Sequence, residues 1–268
     1  GDVYKRQVYN MPTDYVGSQL LYGKDSMVIY QSTLSVKLVH QFDSELETVH
    51  IPKTPGLPNE GIVIPTDGDE LVGPTLQSKF RSGVGSLLYL VKISRPDLSN
   101  SVRELSKVMN KCSLDNYKIL LRVLKYLQST INYGIHYCID NSSSNTSISS
   151  STTLNWKFES YSDSDWAGDK ATRKSVSGWS IFLENCLVAW GSRGQKTVAQ
   201  SSTEAEIIAQ NETVREVLYI LQVLKFVCIV VDSPSVMYCD NSGANFWLII
   251  MKVDVLSTWM LNPCSWGT

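Results

Sequence analysis

Hydrophobic and polar residues alternate along the second half of the chain in a pattern typical of short strands. Trp179, Ile181 and Leu183, for example, occupy every second position, as in a half-buried strand. Strands are predicted at 156–163, 178–184, 186–190 and 235–240, and a helix at 203–227. The first three strands form an antiparallel meander, with a tight turn at Glu184-Asn185. Because a helix separates it from the others, the fourth strand should lie parallel to the first. The predicted fold class is α/β with a mixed sheet.

The segment that precedes this sheet, residues 27–140, is predicted to be mainly helical. A short strand passes into a helix within 27–42, and five prolines make 51–74 a linker or surface loop. A helix beginning at Arg95-Pro96-Asp97 and another over 114–128 form an antiparallel hairpin. The second helix carries a basic row, Lys118, Arg122 and Lys125, which is either a solvated face or a contact for phosphates.

The polar tract at 141–153 is predicted to be a domain boundary or a long hairpin loop, since serine, threonine and asparagine there bury too little apolar surface to become ordered. The predicted division is an unassigned segment at 1–26, a helical segment at 27–140, a Ser-rich linker at 141–153, a sheet domain at 154–245 and an unpatterned tail at 246–268. The first seven residues fit no later pattern and resemble translated adaptor sequence. With no initiator Met at position 1, we expect a fragment of a longer protein.

Composition excludes several classes of protein. A formal net charge of −2 gives no overall attraction to nucleic acid or to anionic membranes. The six cysteines include no C-x-x-C pair and accompany only three histidines, which argues against a zinc site or a disulfide framework. We therefore expect a reducing compartment, the cytoplasm or nucleus, and no secretion. The longest apolar run is far shorter than the roughly 20 residues that span a bilayer.

Acidic residues mark the predicted ends of two strands and the start of the helix. Asp163 ends the first strand and Asp240 the fourth, so parallel neighbours would present both carboxylates at one edge of the sheet. Glu204 lies three residues after Ser201, the capping-box spacing, which leaves Glu206 available to face that edge. Three such carboxylates suit two Mg²⁺ or Mn²⁺ ions in phosphodiester hydrolysis. The alternative for the first cluster is a solvated acidic turn.

Four motifs carry a resemblance to a known family. They are Tyr-Ser-Asp-Ser-Asp-Trp-Ala-Gly-Asp at 161–169, Arg-Lys-Ser-Val-Ser-Gly at 173–178, Ser-Ser-Thr-Glu-Ala-Glu at 201–206 and Cys-Asp-Asn at 239–241. In this order and spacing they resemble the RNase H domain of copia-type retrotransposon polyproteins. The resemblance implies an RNase H-like fold that cleaves the RNA strand of RNA–DNA hybrids. It assigns Asp163, Glu206 and Asp240 as catalytic metal ligands, with Asp165 in a supporting role and Asp169 in a turn.

Basic residues near the first three strands are candidates for holding the phosphates of the hybrid, although each alone reads as an ordinary surface charge. They are Lys170, Arg173, Lys174, Arg193 and Lys196. Upstream, 80–97 and 124–127 resemble the segment after the reverse transcriptase palm in the same polyproteins. That resemblance makes 27–140 a C-terminal remnant of reverse transcriptase with its helical connection. No Tyr-x-Asp-Asp motif is present, so the palm would have to come from an intact polyprotein and this chain should not synthesise DNA.

The tail departs from the family pattern, in which a histidine, a fourth acid and a helix follow. Lys252-x-Asp254 only echoes the family motif, so Asp254 is a further candidate ligand. Two hypotheses remain open. The chain is a metal-dependent ribonuclease H, weak or inactive because the fourth acid is lost, or it is a catalytically dead relic that keeps its fold and nucleic-acid binding. Under both hypotheses the chain is expected in the cytoplasm, the nucleus or retrotransposon particles.

Overall fold

The computed structural model describes residues 12–56, 61–138, 157–227 and 235–244. These residues divide into two compact units, one that ends with the described residues at 138 and one that begins at 157. Asp254 and the Ser-rich tract at 141–153 lie outside the described residues. Among the described helices, none is both long and apolar enough to cross a membrane.

The first unit combines an antiparallel sheet with a group of helices. Its strands are β1 (Asp14–Tyr15), β2 (Ser18–Tyr22), β3 (Ser26–Tyr30) and β4 (Gly134–Cys138), in the order β1-β2-β3-β4. Its helices are α1 (Ser32–His40), α2 (Asp43–Leu46), α3 (Pro74–Ile93), α4 (Ser99–Ser106) and α5 (Leu114–Ser129), with a 3-10 turn at Pro96–Leu98 before α4. Each neighbouring pair of strands is antiparallel.

Helices α3 and α5 build the core of this unit. Phe80, Leu87 and Leu124 are fully buried there. At Gly83 a Cβ atom would lie 3.1 Å from the Phe42 ring, so a side chain at this position would hold the helices apart. The guanidinium of Arg95 is buried as well, and it donates to both carboxylate oxygens of Asp97 at 2.7 and 2.9 Å.

Several features of the first unit differ from the sequence-based expectation. The helices are more numerous than predicted because α2 and α3 were not foreseen. The strand predicted before α1 is present as β3, but its sheet partners β1, β2 and β4 were missed, the first two of them in the unassigned segment 1–26. The basic row on α5 is also not simply a solvated face. Arg122 donates to the carbonyl oxygens of Thr54 and Gly56, and Lys125 donates to that of Leu46. Arg122 therefore ties the 54–56 loop to α5 and Lys125 ties the end of α2 to it, so these two of the three cations are not positioned as a row of phosphate contacts.

The second unit is a four-stranded mixed sheet with one long helix. Its elements are β5 (Phe158–Asp165), β6 (Val176–Leu183), β7 (Cys186–Gly194), α6 (Ser202–Phe226) and β8 (Val236–Tyr238). The strand order is β7-β6-β5-β8, and β8 pairs with β5 in parallel while the other pairs are antiparallel. The predicted turn is present, with Glu184 and Asn185 both at positive φ (50° and 64°), as a type I′ hairpin requires. The prediction of a mixed sheet with a parallel fourth strand is confirmed.

Helix α6 packs on one face of this sheet. Phe158, Ile181 and Val217 form a small apolar cluster towards the C-terminal half of the helix. At its N-terminus, Ser201 Oγ accepts a hydrogen bond from the Glu204 amide at 3.1 Å, and the Glu204 carboxylate accepts one from the Gln200 amide at 2.7 Å. Glu204 is therefore engaged in capping, as its spacing predicted.

Candidate active site

Strand β5 sends alternate side chains to opposite faces of the sheet. Ser160 and Ser162 are buried, whereas Tyr161 and Asp163 between and after them are exposed. Because successive side chains of a strand alternate, the serines lie towards α6 and Asp163 lies on the opposite face, which we call the open face because no described helix packs on it. The strand also continues to Asp165, two residues beyond the predicted end, so Asp163 is within the strand and pairs with Gly178.

Glu206 lies in the second turn of α6, and its carboxylate is held by three hydrogen bonds. Its Oε1 accepts from the Ser164 amide at 3.1 Å and from the Ser164 hydroxyl at 2.9 Å. Its Oε2 accepts from the Cys239 thiol at 3.6 Å. Glu206 is only 5% exposed, so these contacts replace most of its hydration. The carboxylate is fixed between the strands that carry Asp163 and Asp240.

Asp240 follows β8 and is shared between two groups of residues. Ligand atoms of Glu206, Cys239 and Asp240 all lie within 4.8 Å of one another, a spacing that suits a metal ion. Asp163 is not in that group, but it lines a cavity of about 650 Å³ together with Asp240 on the open face. Since Tyr161 and Tyr238 are register partners, both aspartates stand two residues further along parallel strands. The structure thus links Asp163 to Asp240 and Asp240 to Glu206.

Of the other two aspartates of the acidic stretch, Asp165 is the last residue of β5 and Asp169 lies in the loop that follows it. Asp165 is exposed and its carboxylate lies against Gly168, where a Cβ atom would come within 2.1 Å of Oδ2. Asp169 accepts hydrogen bonds from the amides of Ala171 and Thr172 at 3.1 and 2.9 Å, so it shapes the turn. Neither aspartate is grouped with Glu206 and Asp240 among the described residues.

The five basic candidates occupy two segments at one end of the sheet. Lys170, Arg173 and Lys174 lie in the loop between β5 and β6, and Arg193 and Lys196 lie at the end of β7 or just after it. The Gln195 amide donates to the Ser175 carbonyl at 2.8 Å and so joins the two segments. Arg193 rests its guanidinium over the Trp179 ring, 5.3 Å from the centroid. This end of the sheet is also the end that carries Asp165.

Two residues of the site were not foreseen from the sequence. Ser164 was assigned no role from the sequence, yet it provides two of the three hydrogen bonds to Glu206. Cys239 was read as a core thiol, but it lies beside Glu206, and burial raises the pKa of that thiol, which favours its donor form. The only available signal was adjacency, because each stands next to a predicted ligand.

Comparison with known proteins finds similarity mainly to transposon polyproteins. The chain is 37% identical over 179 residues to the retrovirus-related Pol polyprotein from transposon RE1 of Arabidopsis thaliana, which covers 67% of the chain and 11% of the polyprotein. It is 30% identical over 165 residues to the polyprotein from transposon TNT 1-94 of Nicotiana tabacum, covering 62% of the chain and 11% of the polyprotein. It also matches secreted RxLR effector protein 161 of Plasmopara viticola, at 38% identity over 141 residues, or 53% of the chain and 90% of the effector. No family model and no solved structure matches.

Proposed function

Because the chain belongs to the copia-type retrotransposon Pol polyproteins, we propose that its second unit is an RNase H-like domain that cleaves the RNA strand of RNA–DNA hybrids. The matches to transposon Pol polyproteins confirm the copia-type polyprotein family that the sequence predicted. The chain spans about a tenth of the length of the polyproteins it matches, 11% for those of RE1 and TNT 1-94, so the activity itself is our proposal.

The connection of three carboxylates from distant segments supports this function best. Asp163 comes from β5, Glu206 from the start of α6 and Asp240 from the end of β8, and the parallel β5–β8 pair brings the two aspartates to one edge. Glu206 accepts hydrogen bonds from the residue that follows Asp163 and from the residue that precedes Asp240. Two-metal hydrolysis of a phosphodiester needs such a set of oxygen ligands.

The donor set suits Mg²⁺ or Mn²⁺, because both ions favour carboxylate oxygens. When bound, two such ions would activate a water molecule and neutralise the leaving oxygen. Glu206 and Asp240 would hold one ion, and Asp163 and Asp240 would hold the other. Ser164 keeps the Glu206 carboxylate oriented through two hydrogen bonds, so little reorganisation is required of that ligand.

The basic residues at the same end of the sheet support a nucleic-acid substrate. Lys170, Arg173 and Lys196 are exposed at the end of the sheet that carries Asp165, and there they would neutralise phosphates of a bound duplex. In an intact polyprotein, the reverse transcriptase palm would produce the hybrid on which this domain acts. The cytoplasm or a retrotransposon particle is the setting that such a reaction implies.

A cleavage assay on the full chain tests the proposal. We expect a labelled RNA–DNA hybrid to be cut in its RNA strand with Mg²⁺ or Mn²⁺, and not after Asp163→Asn or Glu206→Gln. Glu204→Gln is the matched control, since it removes the same charge two residues away on the same helix and should preserve cleavage. A folded chain that cuts no hybrid at any concentration of either metal would refute the proposal and leave the catalytically dead relic.

A further inference from the structure

Three aromatic side chains lie together on the open face of the second sheet, and the proposed function does not use them. We call Tyr161, Phe182 and Tyr238 the aromatic platform. Tyr161 and Tyr238 stack with their ring centroids 4.9 Å apart at 20°, and Phe182 meets Tyr161 edge-on at 5.7 Å. Both tyrosines remain 44% exposed. Aromatic rings that pack on one another while facing solvent form a preformed apolar surface.

The platform is fixed in place by polar contacts at its edge. The Tyr238 hydroxyl donates to Glu159 Oε1 at 3.0 Å, and the Lys157 ammonium pairs with Glu159 Oε2 at 3.0 Å. Tyr161 and Tyr238 are also register partners in the parallel β5–β8 pair. Backbone pairing, ring stacking and a hydroxyl anchor therefore hold the two rings together, so little side-chain freedom would be lost on binding.

The platform is continuous with the proposed catalytic carboxylates. Tyr161 and Tyr238 line the same cavity of about 650 Å³ as Asp163 and Asp240. Gly178, the partner of Asp163, leaves this cavity open because it has no side chain, and a Cβ atom there would meet only the Asp163 carbonyl, at 3.9 Å. The volume lies within the range of about 300–1,000 Å³ typical of small-molecule pockets, so a nucleotide unit fits.

From this arrangement we propose that the aromatic platform binds one strand of the nucleic-acid substrate, with a base stacked on the Tyr161–Tyr238 pair next to the carboxylates. This proposal rests on the proposed function and adds the contact that positions the strand. Every base has a flat π face, so aromatic stacking binds without sequence preference, as a general ribonuclease H requires.

Binding of a fluorescent RNA–DNA hybrid to the full chain tests the proposal, with Ca²⁺ as the metal and the hybrid checked on a gel for integrity. Tyr161→Leu and Tyr238→Leu remove a ring, whereas Tyr161→Phe and Tyr238→Phe retain it as matched controls. Loss of a stacked base costs a factor of about 5 to 140 in affinity, so we expect the Leu variants to bind that much more weakly and the Phe variants to bind nearly as well as the wild type. The slope of log affinity against log salt should not change, because no phosphate contact is lost.

A photocross-linking measurement locates the contact. Hybrid carrying 5-iodouracil should form an adduct with Tyr161 or Tyr238, identified by mass spectrometry. Equal affinity of the Leu and Phe variants, an adduct only elsewhere, or no binding of hybrid by the wild type would each overturn the proposal. Lower thermal stability of the Leu variants with unchanged affinity would do so too, since the rings would then be covered by the chain itself. Binding without cleavage would refute only the catalytic function.

Discussion

Neutralising Glu206 should stabilise the second unit in the absence of metal and abolish its stabilisation by metal. The Glu206 and Asp240 carboxylates lie within 4.8 Å of each other. At the 4.8 Å limit, two charges repel by about 0.9 kcal/mol in water and about 3.5 kcal/mol at an effective dielectric constant of 20. Asp240 is exposed, so the lower value applies and we expect Glu206→Gln to gain about 1 kcal/mol. A gain of that size raises the melting midpoint by about 4–8 °C in a unit of this length.

Tryptophan fluorescence measures this effect selectively, because all seven tryptophans lie at residue 156 or beyond and none lies in the first unit. Thermal unfolding is recorded in EDTA and then with increasing Mg²⁺. The wild type should gain stability with Mg²⁺, since an ion that binds only the folded state shifts the equilibrium. Glu206→Gln should start higher and respond little.

The matched control is Glu204→Gln, which removes the same charge from the first turn of α6. Glu204 caps the helix, so this change should lower stability in EDTA and leave the response to Mg²⁺ intact. The reasoning is refuted if Glu206→Gln is destabilised in EDTA like the control, or if it keeps the wild-type response to Mg²⁺.

Three further changes test individual contacts. Ser164→Ala removes a hydroxyl bonded to the Glu206 carboxylate and leaves the amide bond to the same oxygen, so the urea midpoint of the tryptophan signal should fall by the equivalent of about 1 kcal/mol; an unchanged midpoint would contradict this. Arg95→Met removes a buried guanidinium that bonds Asp97 and the Thr130 carbonyl, so amide exchange in the first unit should accelerate by the equivalent of about 1–3 kcal/mol while the tryptophan transition stays unchanged. A hydrogen bond from the Lys157 ammonium, and after it one from the Tyr238 hydroxyl, holds the pKa of Glu159 below its usual value. The ionised carboxylate therefore stabilises the folded chain fully at a pH above the usual pKa, and this stabilisation is lost as the pH falls through the lowered pKa. Glu159→Gln should therefore flatten the acid side of the stability profile, and an equally steep loss would count against the assignment.

The strands and helix of the second unit could be predicted from sequence because their signals are local. Alternation placed β6 within two residues of its observed start, and the Ser201-x-x-Glu204 spacing located the start of α6. The Glu184-Asn185 turn was predicted for the same reason, since two residues with positive φ suffice to close it. Each of these elements is specified by residues that are neighbours in the chain.

The missed parts of the first unit depend on distant contacts. Helix α3 contains Gly83 and Gly85, which weaken a helical pattern, yet Gly83 is where the helix approaches Phe42 and Leu120. Strands β1 and β2 are only two and five residues long, and β3 gains its outer partner β4 from more than 100 residues away. Neither the glycine contact nor the strand partner is marked by a periodic pattern.

In the candidate site, one helix, α6, combines a part that local sequence predicts with a part that depends on distant contacts. The C-terminal half of α6 is placed by the apolar cluster around Val217, whereas buried polar side chains, Glu206, Gln210 and Thr213, face the sheet from its N-terminal half. Polar residues interrupt the hydrophobic stripe there, so periodicity predicts the helix but not the direction of the Glu206 carboxylate. That direction is set by hydrogen bonds from Ser164 and Cys239. Motif spacing could therefore name the three acidic residues, while the pairing of Asp240 with both Glu206 and Asp163 follows only from the folded sheet.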